Sequence, residues 1–358
     1  MINNFNKHFK KISFREINGW DDDNHIEAYE ALKKGIIFQY NNFPKSKKLH
    51  ILLNKISNTE NPKHFFEKNY IPFKSFNWDN KESLFTGYYE PHLKSSRVRS
   101  DEYYIPLYSM PKNLIKCENN EKKYNKISGY THLLKIDKKF IIPPTREMIN
   151  NYNLEETKVL AWLKDPIEAY FMHIQGSGKL IFTDGSSERF TYAAKNGFPY
   201  TSIGKVLVSL GYIDEEEISM NTIKSWLKNN PNKINDILNR NKSYIFFKQI
   251  VSENNNYHTI GQTGIELSSK RSLAIDLSIY DINTPIWLET KIPSQKIDSV
   301  EKFQRLMIGQ DTGSAIKGFI RGDIFFGSGH KAGQIAGNMK EKGNIIIFLL
   351  KDEIRSYG

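Results

Sequence analysis

The apolar positions of this chain follow two patterns. Near the start, Ile26, Tyr29, Ala31 and Leu32 recur at roughly helical spacing behind Trp20 and the three aspartates Asp21, Asp22 and Asp23. The spacing predicts a helix. Aspartates at its start are expected to cap orphan N–H groups and oppose the dipole; a metal site is the alternative for three adjacent carboxylates. From Ser83 onward, short aromatic and β-branched runs are broken by Gly, Pro and Asn. Segments 85–89, 103–108 and 140–142 read as strands, while 145–150 and 154–162 read as short helical pieces. Segments 169–175 and 179–183 read as a hairpin turned by Gly176, Ser177 and Gly178. Helices are expected over 203–210, 219–227 and 234–238, the last after Pro231. Strands return at 244–247, 273–275, 285–289, 304–308, 323–326 and 345–350. Many short strands with glycine corners indicate a β-barrel rather than alternating βαβ units. The polar stretch 119–126 reads as a solvated loop.

Composition bounds this picture. At 358 residues the length prior allows two domains. With 39% hydrophobic and 13% aromatic residues, the chain has enough apolar material for real cores, which excludes global disorder. The 51 Lys and Arg against 40 Asp and Glu leave a net charge of +11. Such a surplus fits an anionic partner: nucleic acid, a membrane surface or an acidic polymer such as cell-wall glycan. The abundance of Lys, Asn and Ile, a compositional bias, explains it equally well. The single cysteine, Cys117, excludes an internal disulfide and a cysteine-based zinc cage. The first eleven residues are polar and basic without an apolar stretch behind them, so no signal peptide is visible. The longest apolar run, 345–350, is far short of the roughly 18 residues that span a bilayer. The expectation is a soluble chain, or one shown without its leader.

Few motifs offer chemistry. There is no His-Glu-x-x-His, Walker loop or Gly-x-Ser-x-Gly elbow. The Gly-x-Gly at 176–178 lacks the third glycine and following helix of a dinucleotide site. Of nine histidines, His173 lies in an aromatic run and reads as a hydrogen-bonded wall residue rather than a ligand. The dense region is Gln310-Asp311-Thr312-Gly313-Ser314, followed by Arg321-Gly322-Asp323-Ile324-Phe325-Phe326. Two aspartates flank a glycine-rich turn, and the second is embedded among large apolar residues. Burial would raise its pKa, as a general acid working near neutral pH requires. On spacing alone, aspartates that merely cap turns are the better reading. Asp311-Thr312-Gly313-Ser314 also matches the loop of aspartic proteases, but that chemistry needs a second such loop to share the proton, and none is present.

At these residues the sequence resembles the membrane-bound lytic murein transglycosylase A (MltA) family with its C-terminal three-aspartate (3D) domain. The resemblance runs in family order from about residue 15 to 350. It includes Ile17-Asn18-Gly19-Trp20, Phe85-Thr86-Gly87-Tyr88-Tyr89-Glu90-Pro91, Ile142-Pro143-Pro144-Thr145-Arg146 and His173-Ile174-Gln175-Gly176-Ser177-Gly178. It continues through Tyr192-Ala193-Ala194-Lys195-Asn196-Gly197 and Ala274-Ile275-Asp276 to the Asp311 and Asp323 loops.

The fold class this implies is mainly β with some helices. A double-psi β-barrel domain at 1–91 and 243–358 (3D region about 265–350) would be interrupted by a smaller β-rich domain at 92–242, with a substrate groove between them. The implied reaction is non-hydrolytic cleavage of the β-1,4 bond between N-acetylmuramic acid and N-acetylglucosamine, leaving a 1,6-anhydro ring. The sugar's own 6-hydroxyl attacks, so proximity replaces a captured water, and one acid/base can serve both halves. By the family's motif that residue is Asp323, with Asp311 and Asp276 shaping or hydrogen-bonding the site. Substrate binding would fall to Thr86, Gly87, Tyr88, Gln175, Gly176, Ser177, Tyr192, Asn196 and Lys317.

No cofactor and no metal are implied. The partner would be peptidoglycan glycan strands rather than nucleic acid, with protein partners in the envelope left open. The chain would act as a monomer in the periplasm or cell envelope, associated with the outer membrane. Three departures stand out: Ser314 replaces a second glycine, Phe326 stands where Trp is frequent, and the lipid-anchor cysteine has no counterpart. A wall-binding module without catalysis and a water-using muramidase are the alternatives. Nucleic-acid binding through the basic surface has no recognition motif behind it.

Overall fold

Contacts within the chain divide it into two units, Met1–Tyr89 with His258–Gly358, and Glu90–Tyr257. The computed structural model describes residues 9–57, 59–75, 83–117, 129–151, 156–251, 259–294 and 299–352. The expected loop at 119–126 lies outside them.

The first unit begins with strand β1 (Phe9–Lys11), helices α1 (His25–Asn42), α2 (Lys47–Ser57) and α3 (Pro62–Asn69), and strands β2 (Tyr70–Ser75) and β3 (Leu84–Glu90). The predicted first helix is present, but the aspartates before it do not cap it. Its N-cap is Asn24. Asp21 pairs with Lys63, and the Asp23 carboxylate is buried against Arg271 at 2.8 Å. A cation 248 residues away outcompetes the local amides. α3 has a conventional start: Pro62 opens it and the Asn61 side chain accepts from the His64 amide at 3.0 Å.

The second unit holds β4 (His92–Ser96), β5 (Ile105–Tyr108), β6 (Leu114–Lys116), β7 (His132–Ile136), β8 (Lys139–Ile141), α4 (Arg146–Asn151), β9 (Val159–Leu163) and α5 (Pro166–Gln175). It continues through β10 (Ser177–Phe182), β11 (Ser187–Lys195), α6 (Ile203–Ser209), α7 (Met220–Asn229), α8 (Ile234–Asn239) and β12 (Ile245–Ile250). Among the described residues it forms a six-stranded sheet, β12-β11-β10-β4-β9-β5, and a three-stranded sheet, β6-β7-β8.

Three expectations are corrected here. Segment 169–175 is helix α5, not a strand. Asp165 caps it by accepting from Ile167 and Glu168 amides at 2.8 and 3.3 Å, Pro166 opens it, and Gly176 ends it at φ +75°. The helix is buried on nearly all sides, from Ile167 to His173, so its apolar residues show no helical period. Second, the apolar run expected as helix to Trp162 is strand β9 over its later part, paired with β4 and β5. A short apolar run is ambiguous until its neighbours are known. Third, β12 belongs to this unit because it pairs with β11 from Arg189–Ile250 to Lys195–Ile245. The change of unit therefore falls at 257/258 rather than 242/243.

The chain returns to the first unit with β13 (Ser272–Ala274), β14 (Thr284–Pro293), β15 (Val300–Asp311), β16 (Arg321–Ser328), α9 (Gly329–Asn338), β17 (Lys340–Glu341) and β18 (Gly343–Leu350). The described strands of this unit join in one sheet ordered β1-β2-β18-β14-β15-β13-β16-β3-β17. Helices α1 to α3 cover one side of it. Leu32, Ile36, Phe65 and Phe66 pack there with Trp20, Trp287, Leu306, Ile346 and Phe348. The run 345–350 is strand β18, as expected, and it pairs with both β14 and β2.

Candidate active site

Three strand ends of the first unit bring its aspartates together. β13 lies between β15, which it meets in parallel, and β16, which it meets antiparallel. Ala274 is the register partner of both Asp311 and Asp323, and Asp276 follows two residues later. A register shift between Leu273 and Ala274 decides which β15 residue arrives there. Leu273 pairs with Gly309, so an unbroken ladder would set Gln310 opposite Ala274; the bulge advances the strand by one and presents Asp311. The fully buried Gln310 is thereby left to donate to the Ala31 carbonyl in α1 and accept from Ser272 Oγ, both at 2.6 Å.

The three carboxyls occupy different environments. Asp311 is 5% exposed. Its Oδ1 accepts from the Gln262 and Thr312 amides at 2.7 and 2.9 Å, and its Oδ2 accepts from the Tyr88 hydroxyl at 2.9 Å. Burial outweighs these bonds and raises its pKa to about 6. The backbone of Gly261 lies against the same carboxyl, where a Cβ would stand 2.7 Å from its carbon. Asp276 is 3% exposed. Burial pushes its carboxyl up, yet donors from the Ser278 hydroxyl, the Gly318 and Ser278 amides and Lys317 at 2.7–3.1 Å prevail and hold it at about 2.

Asp323 is the half-buried one of the three. Desolvation raises its pKa, against the opposing effects of Arg321 and Thr86. Its Oδ1 accepts from Thr86 Oγ1 at 2.7 Å. Arg321 Nη2 in turn donates to Thr86 Oγ1 at 2.9 Å, and Arg321 Nη1 donates to the Leu84 and Gly322 carbonyls.

Of the other residues anticipated from the sequence, Thr86 and Tyr88 stand here, two apart on β3 and so on one face. Tyr88 also packs on Phe325, ring centroids 5.3 Å apart. Gly87 faces the other way. A Cβ there would meet the Phe326 ring at 2.6 Å and the Ala336 backbone of α9 at 2.9 Å, so close packing requires a glycine at this position. Phe325 and Phe326 are buried, which leaves neither ring a face for stacking. Lys317 is 63% exposed and reaches Asp276.

Gln175, Gly176, Ser177, Tyr192 and Asn196 lie in the second unit. Gln175 and Gly176 end α5, Ser177 opens β10, and Tyr192 is on β11. Asn196 is corrected as a binding candidate: it is fully buried and its amide is spent on backbone. It donates to the Pro144 and Lys242 carbonyls and accepts from the Tyr244 amide, all at 2.8–2.9 Å. His173 is buried on α5, where Nδ1 accepts from the Ile245 amide and meets Arg146, in keeping with a hydrogen-bonded wall.

Two contributors were missed from sequence. Arg321 shares a strand face with Asp323 by two-residue spacing, a signal that was available. Gly261 is 50 residues from Asp311, and nothing local marks it.

Residues 84–248 match the model of the MltA specific insert domain, and residues 271–349 match that of the 3D domain. A membrane-bound lytic murein transglycosylase A homolog of Buchnera aphidicola is 33% identical over 255 residues, covering 70% of this chain and 62% of that protein. The aligned part thus spans under two thirds of that curated relative. The crystal structure of a membrane-bound lytic murein transglycosylase from Agrobacterium tumefaciens superposes with TM-score 0.85 at 29% identity, over 98% of this chain and 99% of that one. A lytic transglycosylase of Burkholderia pseudomallei matches at 30% identity and TM-score 0.59, over 96% and 95% of the two chains. The architecture is accordingly the mainly β one, a double-psi β-barrel domain interrupted by a smaller β-rich domain. Both domain models in order along the chain, together with a relative 33% identical over 70% of it, establish that the chain belongs to the MltA family with a 3D domain.

Proposed function

We propose that this protein is a peptidoglycan lytic transglycosylase in which Asp323 acts as general acid and then general base. It cleaves the β-1,4 bond between N-acetylmuramic acid and N-acetylglucosamine and leaves a 1,6-anhydro end. The observation that carries this reading is the difference among the three carboxyls. Asp276 is held ionised and Asp311 has both oxygens committed, whereas Asp323 is half-buried, has its pKa raised by desolvation and binds a single side-chain donor.

Support for the non-hydrolytic outcome comes from how the other carboxyls beside Asp323 are held among the described residues. Hydrolases set a second carboxylate across the bond to activate water or attack carbon. Asp311, the nearest counterpart in register, is tied by two amides and Tyr88. The tethered 6-hydroxyl then supplies the nucleophile through proximity. Asp323 protonates the leaving O4, which departs as a hydroxyl as the bond to C1 breaks, and O6 closes on C1 as the Asp323 carboxylate accepts the 6-hydroxyl proton. Asp311 and Asp276 shape the surrounding loops, and glycan strands are the partner of a monomer. The relatives named membrane-bound favour work in the cell envelope; among the described residues no helix is long and apolar enough to cross a membrane.

Mass spectrometry of digested sacculi tests the proposal. An anhydro product, one water lighter than the reducing-end product, is expected from the wild type and absent with Asp323→Asn. A reducing-end product would instead show a muramidase. Binding to sacculi without soluble product would show a wall-binding module.

A further inference from the structure

Thr86 is anticipated from sequence as a sugar ligand, but its hydroxyl has other work. A guanidinium only donates, so the bond from Arg321 Nη2 makes Thr86 Oγ1 an acceptor. The single Thr86 proton then points at Asp323 Oδ1, 2.7 Å away. Arg321 is itself fixed by the Leu84 and Gly322 carbonyls, so this direction of the hydroxyl is built into β3 and β16.

We infer that Arg321 and Thr86 form a positioning relay that keeps Asp323 Oδ1 an acceptor and so confines the catalytic proton to Oδ2. The inference rests on Asp323 being the acid/base. In the acid form Oδ1 already receives a hydrogen bond, so the carboxyl proton sits on Oδ2, the oxygen left for the glycosidic O4. After transfer, the carboxylate is met by the Thr86 hydroxyl with Arg321 one bond behind, and Oδ2 is again the oxygen that receives the 6-hydroxyl proton. The other titratable groups here are Tyr88 on β3 and Asp311 beyond β13. Their shared proton is committed to each other. Thr86 is thus the side-chain donor to Asp323 among the described residues. Neither Thr86 nor Arg321 need touch sugar.

The test uses the whole protein acting on soluble glycan fragments, with kcat and KM measured across pH for Thr86→Val, Thr86→Ser, Arg321→Met and Asp323→Asn. The alkaline limb of kcat/KM follows loss of the acid's proton in the free enzyme. Removing a donor to the carboxylate raises the acid's pKa, so this limb should move about one pH unit upward in Thr86→Val. kcat should fall roughly tenfold or more while KM stays within about twofold. Thr86→Ser should restore both, and Arg321→Met should move the limb in the same direction. A slower Thr86→Val enzyme with an unmoved limb, or a defect that serine does not rescue, would overturn the relay while an inactive Asp323→Asn leaves the acid/base assignment standing. Activity in Asp323→Asn would overturn the assignment and the relay together.

Discussion

Asp311 makes the first unit's stability depend on pH in a direction opposite to that of an aspartate held ionised by hydrogen-bond donors. Its carboxyl ionises near 6 in the fold against an ordinary value of 3.8, a gap worth about 3 kcal/mol at 1.36 kcal/mol per unit. Between these values the folded protein keeps a proton that the unfolded chain has lost. The contribution is therefore fully present below about pH 4 and declines as pH rises through about 6, beyond which it is constant. Asp311→Asn removes the titration and preserves the shape. Its Oδ1 still accepts the Gln262 and Thr312 amides, and its NH2 donates to a Tyr88 hydroxyl that turns around. The wild type should thus lose about 3 kcal/mol relative to Asp311→Asn between roughly pH 4 and pH 7. Urea unfolding of both proteins across this range, followed by hydrogen exchange in β15 and β16, measures the first unit directly. A pH-independent difference, or one that favours the wild type as pH rises, would refute the assignment of a desolvated, hydrogen-bonded carboxyl.

Other expectations follow from the same geometry. Asp276, held at about 2, has the opposite sign: its contribution, about 2 kcal/mol, is present above pH 4 and lost as pH falls toward 2, so Asp276→Asn should narrow its gap to the wild type in acid unfolding curves. Arg271 is 2% exposed and donates to Asp23, Glu27 and the Leu306 and Asn24 carbonyls. Arg271→Met strands the Asp23 charge and should cost about 3–5 kcal/mol in unfolding free energy; a cost below 1 kcal/mol would contradict the buried pair. Gly261→Ala pushes a methyl against the Asp311 carboxyl and should reduce the rate on sacculi roughly tenfold, with far-ultraviolet circular dichroism unchanged. Asn196→Ala strands three buried backbone groups and should cost about 1–3 kcal/mol or more without changing KM. A raised KM with unchanged stability would return Asn196 to the binding surface.

The legibility of this chain varied with the range of the forces involved. The strands at β14, β16 and β18 and the helices α6 to α8 were readable because their own residues carry the signal: short runs of β-branched, aromatic and leucine residues, and apolar faces behind Ser202 and Ser219. α5 was misread as a strand because burial on nearly all sides erased its period, although Asp165, Pro166 and Gly176 marked both ends. The Asp21–Asp23 cluster was misread because local chemistry offered caps, while a distant guanidinium offered a stronger partner.

The candidate site divides in the same way. Sequence by itself determined that Asp276, Asp311 and Asp323 exist in a family order, and that Asp323 sits among apolar residues. It could not assign their protonation. That depended on the bulge that exchanges Gln310 for Asp311 opposite Ala274, on Gly261 laid against one carboxyl, and on a threonine 237 residues from Asp323 whose hydroxyl is aimed by Arg321. A carboxyl's acidity is set by the water removed from it and the donors turned toward it, and both come from segments that only the folded chain brings within 3 Å.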